Sequence, residues 1–136
     1  MSSKRKLVDT NLIVRYLVQD HEKHAKAAAK LFDACDRGEV VIVMLPTVLA
    51  ECVFVLESFY EHPRGHIVTA LSKLIASPGV EISGVEIHLD ALHRYQKTRV
   101  HFVDCLIAAT STAQDIPVAT FDEDFRKFAD VRVENE

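Results

Sequence analysis

The sequence contains no tryptophan, and only four glycines, four prolines and three cysteines in 136 residues. So little glycine and proline excludes a collagen-like or low-complexity chain, and leaves few points at which regular structure must break. Cys35, Cys52 and Cys105 are odd in number and show no CxxC spacing, which argues against a disulfide framework and a cysteine zinc site. They read as reduced, mostly buried residues of a cytoplasmic protein. No apolar run reaches the roughly 18–20 residues that a membrane span needs. Asp9 and Asn11 interrupt the apolar stretch behind Lys4-Arg5-Lys6, so it does not read as a secretory signal. A basic excess is missing too. Sixteen Lys+Arg against twenty Asp+Glu give a net charge of −4, which excludes capture of nucleic acid by bulk charge and leaves room for a local basic groove.

What is present is an ordinary globular mixture, 49% hydrophobic and 26% charged. It predicts a single domain over residues 1–136, burying about 65–70% of its unfolded surface. No linker, repeat or membrane segment divides it. Leu7-Val8 reads as a strand and Asn11 to Val18 as a short helix. Ala25, Ala28, Ala29, Phe32 and Cys35 recur at helical spacing between Glu22 and Arg37, and Gly38 ends that helix. Val40 to Val43 is a buried strand, and Pro46 opens a helix to about Tyr60. After the break at His62-Pro63-Arg64-Gly65, a helical pattern resumes from Ile67 to Ala76. Val80 to Ile82 is a short strand, and Ser83 with Glu86 fits a capping box for a helix to about Thr98. His101 to Asp115 follows as a helix with Phe102, Leu106, Ala109 and Ala113 on one stripe. Pro117 to Thr120 and Asp130 to Val133 are strands around a turn near Asp124. Short apolar strands alternating with helices predict an α/β fold with a short central parallel sheet flanked by helices.

Certain acids stand where apolar residues dominate. Asp9 is the only charge between Leu7 and Val14, Glu51 between Val40 and Leu56, and Asp104 between Val100 and Gln114; Asp122 ends the run Ile116 to Phe121. Taken singly, each has an ordinary explanation as a solvated or locally bonded residue at an element end. Taken together they do not, because no matching basic residues lie in the same runs; Arg15 is the one nearby along the chain. Ligand sites of parallel α/β sheets form at strand carboxyl ends, where Asp9 and Asp122 fall and toward which Glu51 and Asp104 can point. Carboxylates drawn together there repel by about 4 kcal/mol per close pair at an effective dielectric near 20. Divalent cations remove that penalty, and an all-oxygen set suits Mg²⁺ or Mn²⁺ better than Zn²⁺. Such a cage is standard equipment for hydrolysing phosphodiesters.

The segments Leu7-Val8-Asp9-Thr10-Asn11, Leu49-Ala50-Glu51, Val103-Asp104-Cys105-Leu106-Ile107-Ala108-Ala109 and Ala119-Thr120-Phe121-Asp122-Glu123-Asp124-Phe125 give the chain its family likeness. In order and spacing it resembles the PIN-domain ribonucleases, in particular the VapC-type toxins of toxin–antitoxin pairs. The resemblance spans the whole chain. It implies a PIN-like fold, RNA endonuclease activity with Mg²⁺ or Mn²⁺, a homodimer, and a cognate antitoxin protein. It makes Asp9 and Asp104 the first metal ligands, with Glu51 and Asp122 completing the cage directly or through water. Asp122 lies nearer the strand end and is preferred over Asp124, which would open the following turn. Asn11 and Thr120 are placed to hydrogen-bond around the cage, or to serve as ordinary turn and cap residues. Arg15 is the candidate contact to substrate phosphate.

Other signals carry less. Among the seven histidines, His62 and His66 are four apart but Pro63 and Gly65 lie between them, and His21 and His24 sit at a helix start where solvated side chains are common, so a histidine metal site is not favoured. Cys52 and Cys105 adjoin acids but point to other helix faces, so cysteine chemistry is poorly supported. Lys23, Lys26 and Lys30 form one side of a helix that solvation alone explains. Val53, Phe54, Val55 and Phe59 nearly encircle theirs, as a dimer or antitoxin contact or deep burial would require. A haloacid-dehalogenase-type phosphatase would need a second Asp where Asn11 stands. A response-regulator receiver would need an acid pair at the first strand. The alternative from a different class is a catalytically inactive PIN-fold binding module.

Overall fold

The protein is described over residues 4–134 in a computed structural model. Its backbone divides into two compact units, Met1–Val85 and Glu86–Glu136.

In the first unit, β1 (Lys4–Leu7), β2 (Val40–Val43) and β3 (Val80–Glu81) form a parallel sheet in that order. Parallel neighbours cannot be joined by a hairpin, so helices make the crossovers. α1 (Thr10–Val18) and α2 (Glu22–Asp36) link β1 to β2; α3 (Pro46–Ser58) and α4 (Arg64–Ala76) link β2 to β3. Ile13, Ile42, Leu49, Leu56, Ile67 and Leu71 are buried at the centre of this unit. β2 falls where its β-branched run predicts. β1 does not: it starts three residues before the expected Leu7-Val8 and stops at Leu7, and all four of its residues are exposed. Backbone pairing, from Lys4 opposite Val40 to Leu7 opposite Val43, defines this strand rather than apolar side chains. Val8, just beyond it, is the residue that is buried. Gly79 passes so close to α2 that an added Cβ would meet the Cys35 side chain and lie 3.0 Å from its carbonyl oxygen.

The second unit holds α5 (Val85–Lys97), α6 (Phe102–Gln114), β4 (Val118–Ala119), a 3₁₀ turn (Glu123–Lys127) and β5 (Val133–Glu134). β4 and β5 pair in parallel, with Val118 opposite Val133. α5 begins at Val85 behind Gly84, whose φ is +70°, so Ser83 stands one position outside the expected capping box. α6 turns a different stripe inward from the predicted one: Phe102, Cys105, Ala108 and Ala109 are buried, Leu106 is half-buried and Ala113 is exposed. The small side chains let α6 pack closely, and Phe102 meets the Tyr95 ring edge-on at 6.0 Å between centroids. All three cysteines are free and buried. Among the described residues no helix is long and apolar enough to cross a membrane.

Arg94 of α5 organises this unit. Its Nη1 and Nη2 donate to the two Asp130 oxygens at 2.8 and 2.6 Å, and its Nε donates to Asp90 at 3.1 Å. The guanidinium also lies 5.4 Å from the Phe128 ring centroid. With Asp130 drawn to Arg94, the final strand begins only at Val133, three residues after the start that the sequence pattern suggested.

The hydrogen bonds from Arg94, above all, hold the Asp130 carboxyl below its ordinary value of 3.8. A depressed acid contributes stability that is present above the unfolded pKa and is lost as pH falls through the folded one. Asp130→Asn should therefore destabilise the protein at about pH 7 by about 1 kcal/mol, a low figure because Asp130 is half exposed. In urea titrations the gap between wild type and variant should shrink as the pH is taken below the ordinary value of 3.8. A gap of equal size above and below that value would show that this pair is not what the substitution removed.

Candidate active site

Asp9 directly follows Val8 and is the N-cap of α1. Its backbone is extended, and Oδ1 accepts the Leu12 N–H at 2.9 Å. This is what an N-cap aspartate does for one orphan donor of a helix, and it leaves Oδ2 outside the cap bond. Glu51 sits on α3, where Leu49, Cys52, Val53 and Leu56 turn inward and Glu51 itself is exposed. Asp9 and Glu51 converge electrostatically on the buried Cys52 thiol between them in influence. Burial first, then Glu51, then Asp9 push that thiol up to about 12. Cys52 is therefore a protonated packing residue and no nucleophile.

In the second unit, Asp104 lies in the first turn of α6 and is half-buried. Asp122 is the N-cap of the 3₁₀ turn, with Oδ1 accepting the Asp124 N–H at 2.8 Å. Thr120 shapes the same corner, since its hydroxyl oxygen accepts the Asp122 N–H at 2.9 Å. Asp104, Thr120 and Asp122 border one groove of about 640 Å³, whose other walls include Val103, Ile107 and Phe125. Desolvation first, then the Asp122 charge, raise the Asp104 carboxyl; His101 opposes the shift and Asp124 adds to it. Asp124 is committed elsewhere, to Lys127 at 3.1 Å. Among the described residues, Asp104 and Glu51 have no hydrogen bond or ion pair.

The four predicted acids thus stand as a pair in each unit, Asp9 with Glu51 and Asp104 with Asp122. Among the described residues, no three His, Cys, Asp or Glu side chains are gathered into a metal-binding group. The expectation that the acids lie in buried segments needs correcting. Those segments are only partly buried: Val8, Leu49, Cys105 and Val118 turn inward, whereas Leu7, Phe54, Val103 and Phe121 are exposed, and Asp9, Glu51 and Asp122 are exposed with them on caps and outer helix faces. Each acid still offers a carboxylate oxygen that no internal donor occupies, which fits a hard divalent cation.

Arg15 borders a cleft of about 210 Å³ together with Asp9, Asn11, Leu12 and His24. Its Nη1 donates to Asp20 at 2.8 Å, and the Tyr60 hydroxyl donates to the other Asp20 oxygen at 2.8 Å. Those bonds, Tyr60 foremost, hold Asp20 below the usual carboxylate range. Asp20, Tyr60 and His24 were invisible as site residues in the sequence, since Asp20 and Tyr60 lie forty residues apart. Lys23, Lys26 and Lys30 are exposed on α2, with Lys26 paired to Glu22 at 3.1 Å.

A PIN domain family model matches residues 6–131, a span that takes in both acidic pairs. The chain belongs to the PIN domain family. No curated protein matches it. Among solved structures it is similar to the crystal structure of VapC20 of Mycobacterium tuberculosis, described as a sarcin-ricin loop cleaving toxin. The two are 24% identical over 93% of this chain and 98% of that one, with a TM-score of 0.43.

The double use of the acids in this PIN domain makes a stability prediction. Asp9→Ala removes the α1 cap and should cost about 0.5–2 kcal/mol, whereas Asp9→Asn keeps a capping oxygen and should cost a few tenths. Asp104 caps nothing, so Asp104→Asn should raise the metal-free melting temperature, by about 3 °C per kcal/mol of relieved repulsion and desolvation. A fall for Asp104→Asn in chelator would show that its charge is compensated in the fold.

Proposed function

We propose that this PIN domain is a Mg²⁺-dependent endoribonuclease, with Mn²⁺ as a substitute, and that it is the toxin component of a type II toxin–antitoxin pair. The observation that carries the proposal is Asp104: a half-buried carboxylate without a hydrogen-bonded or ion-paired partner among the described residues, set against Asp122. Two carboxylates set against each other with no internal cation favour binding one from solution. Asp9, Glu51, Asp104 and Asp122 would hold the metal together. Asp122 is preferred over Asp124 because Asp124 is paired with Lys127.

When bound, the cation would supply a water of lowered pKa and stabilise charge on the leaving oxygen. The chain's own residues set the geometry. Asp9 and Asp122 are anchored by the backbone N–H groups they accept, so their remaining oxygens are held at fixed positions. Thr120 fixes the corner that carries Asp122. Asn11 stands in the first turn behind Asp9 and shares its cleft. Arg15, oriented by Asp20, would receive a substrate phosphate there. Water attacking in line would leave a 5′-phosphate and a 3′-hydroxyl.

The family likeness of the four motifs extends the proposal to a cytoplasmic homodimer and a cognate antitoxin. Phe54 and Phe59, 67% and 75% exposed, supply apolar surface of the kind a protein partner covers.

Partner-free protein incubated with total RNA should give discrete fragments in Mg²⁺ and none in excess chelator. Asp104→Asn should reduce cleavage at least about 100-fold, more than the loss of a residue that only supports a metal ligand. Equal cleavage by the variant would remove Asp104 from the centre. Intact RNA in every lane, without Mg²⁺ binding, would establish the inactive binding module instead.

A further inference from the structure

The wall of the Asp9 cleft carries a feature that the metal centre does not use. His24, on α2, lines it opposite the residues of α1 in sequence order: Asp9, Asn11, Leu12 and Arg15. Its ring is not free to wander. It stacks on His21 with centroids 3.9 Å apart and planes 25° from parallel. His21 is in turn fixed as the α2 N-cap, where its Nδ1 accepts the His24 N–H at 3.2 Å. The cap bond fixes the His21 ring, and with it the plane on which His24 stacks. One face of His24 is covered by His21; the residue as a whole is exposed.

Arg15 is restrained in the same manner. Asp20 takes its Nη1, and Tyr60 holds Asp20 from the other side. Its Nε is buried and has no partner among the described residues. That buried Nε cannot reach a ligand, but Nη2 makes no hydrogen bond among the described residues and is the donor left for one. A cleft that offers a fixed cation, a pre-stacked aromatic ring and the apolar floor of Leu12, Ala27 and Ala28 matches one nucleotide: phosphate on the cation, base on the ring.

We propose that His24 and Arg15 form a nucleotide subsite beside Asp9 that holds the single-stranded RNA unit adjoining the bond to be cut, Arg15 through a phosphate and His24 by stacking on the base. This rests on the ribonuclease reading above and adds to it the residue that grips the substrate. A polypeptide in the same cleft is the alternative that the test separates.

The test uses a fluorescein-labelled pool of random single-stranded 12-nucleotide RNA, bound to the full chain with Ca²⁺ in place of Mg²⁺ and followed by anisotropy over a salt series. His24→Ala should weaken binding about 5- to 10-fold without changing the salt slope, and His24→Phe should restore it to within about 2-fold. Arg15→Ala should weaken binding and lower the salt slope by about one counterion, while Arg15→Lys keeps the slope. Circular dichroism confirms that each variant is folded. Wild-type binding with unchanged affinity in both alanine variants would overturn the subsite alone, and is the result a polypeptide cleft would give. Loss in His24→Ala that phenylalanine does not rescue would overturn the stacking role. Failure of the wild type to bind the pool would overturn the ribonuclease reading itself.

Discussion

The junction between a strand and the helix behind it is the constraint from which this protein's chemistry follows. In a parallel arrangement each strand delivers the chain to a helix start, where backbone N–H groups lack partners. Asp9 answers that need at α1 and Asp122 at the 3₁₀ turn, each with one oxygen. A carboxylate has about four acceptor positions, so a cap uses only part of its capacity. The remainder is held rigidly by the bond already made. Structural and proposed chemical use of one side chain are therefore not competitors here; the cap bond fixes where the second oxygen stands.

Asp104 shows the opposite balance. Its place in the first turn of α6 favours the charged form by about 0.3–1 kcal/mol, and His101 adds to that. Desolvation and the charges of Asp122 and Asp124 outweigh both, since the carboxyl is raised. A site optimised for stability alone would place a neutral residue here. In the proposed metal centre, protonation would surrender Asp104 as a ligand, whereas a divalent cation would keep it and reverse the sign of the local field.

The sequence made some of this legible and hid the rest for identifiable reasons. Val40–Val43 announces itself because burial on both faces demands an unbroken β-branched run. Lys4–Leu7 is silent because its position depends on which backbone it pairs with, and an exposed strand needs no apolar signature. The α6 stripe was displaced because Leu106 competes with Cys105 and Ala108 for the inner face, and close packing selects the smaller residues. Asp9 and Asp122 could be found as acids in apolar surroundings, and their dual role as caps could be suspected. The partners Asp20 and Tyr60, and Arg94 and Asp130, could not, because local patterning says nothing about which distant donor meets which acceptor.

Those long-range partners decide how well the site can act. An arginine on a solvated helix loses rotamer freedom worth up to about 2 kcal/mol when it grips a phosphate. Arg15 has already lost much of it, because Asp20 fixes one edge of the guanidinium and Tyr60 fixes Asp20. The same reasoning applies to the His24 ring, whose plane is set by His21 before any ligand arrives. Preorganisation of this kind raises affinity without adding contacts. Under the proposed function, a chain of net charge −4 would then not need diffuse attraction to bind a polyanion. One oriented cation and one fixed ring act at short range, where the overall charge of the protein is largely screened beyond about 8–10 Å.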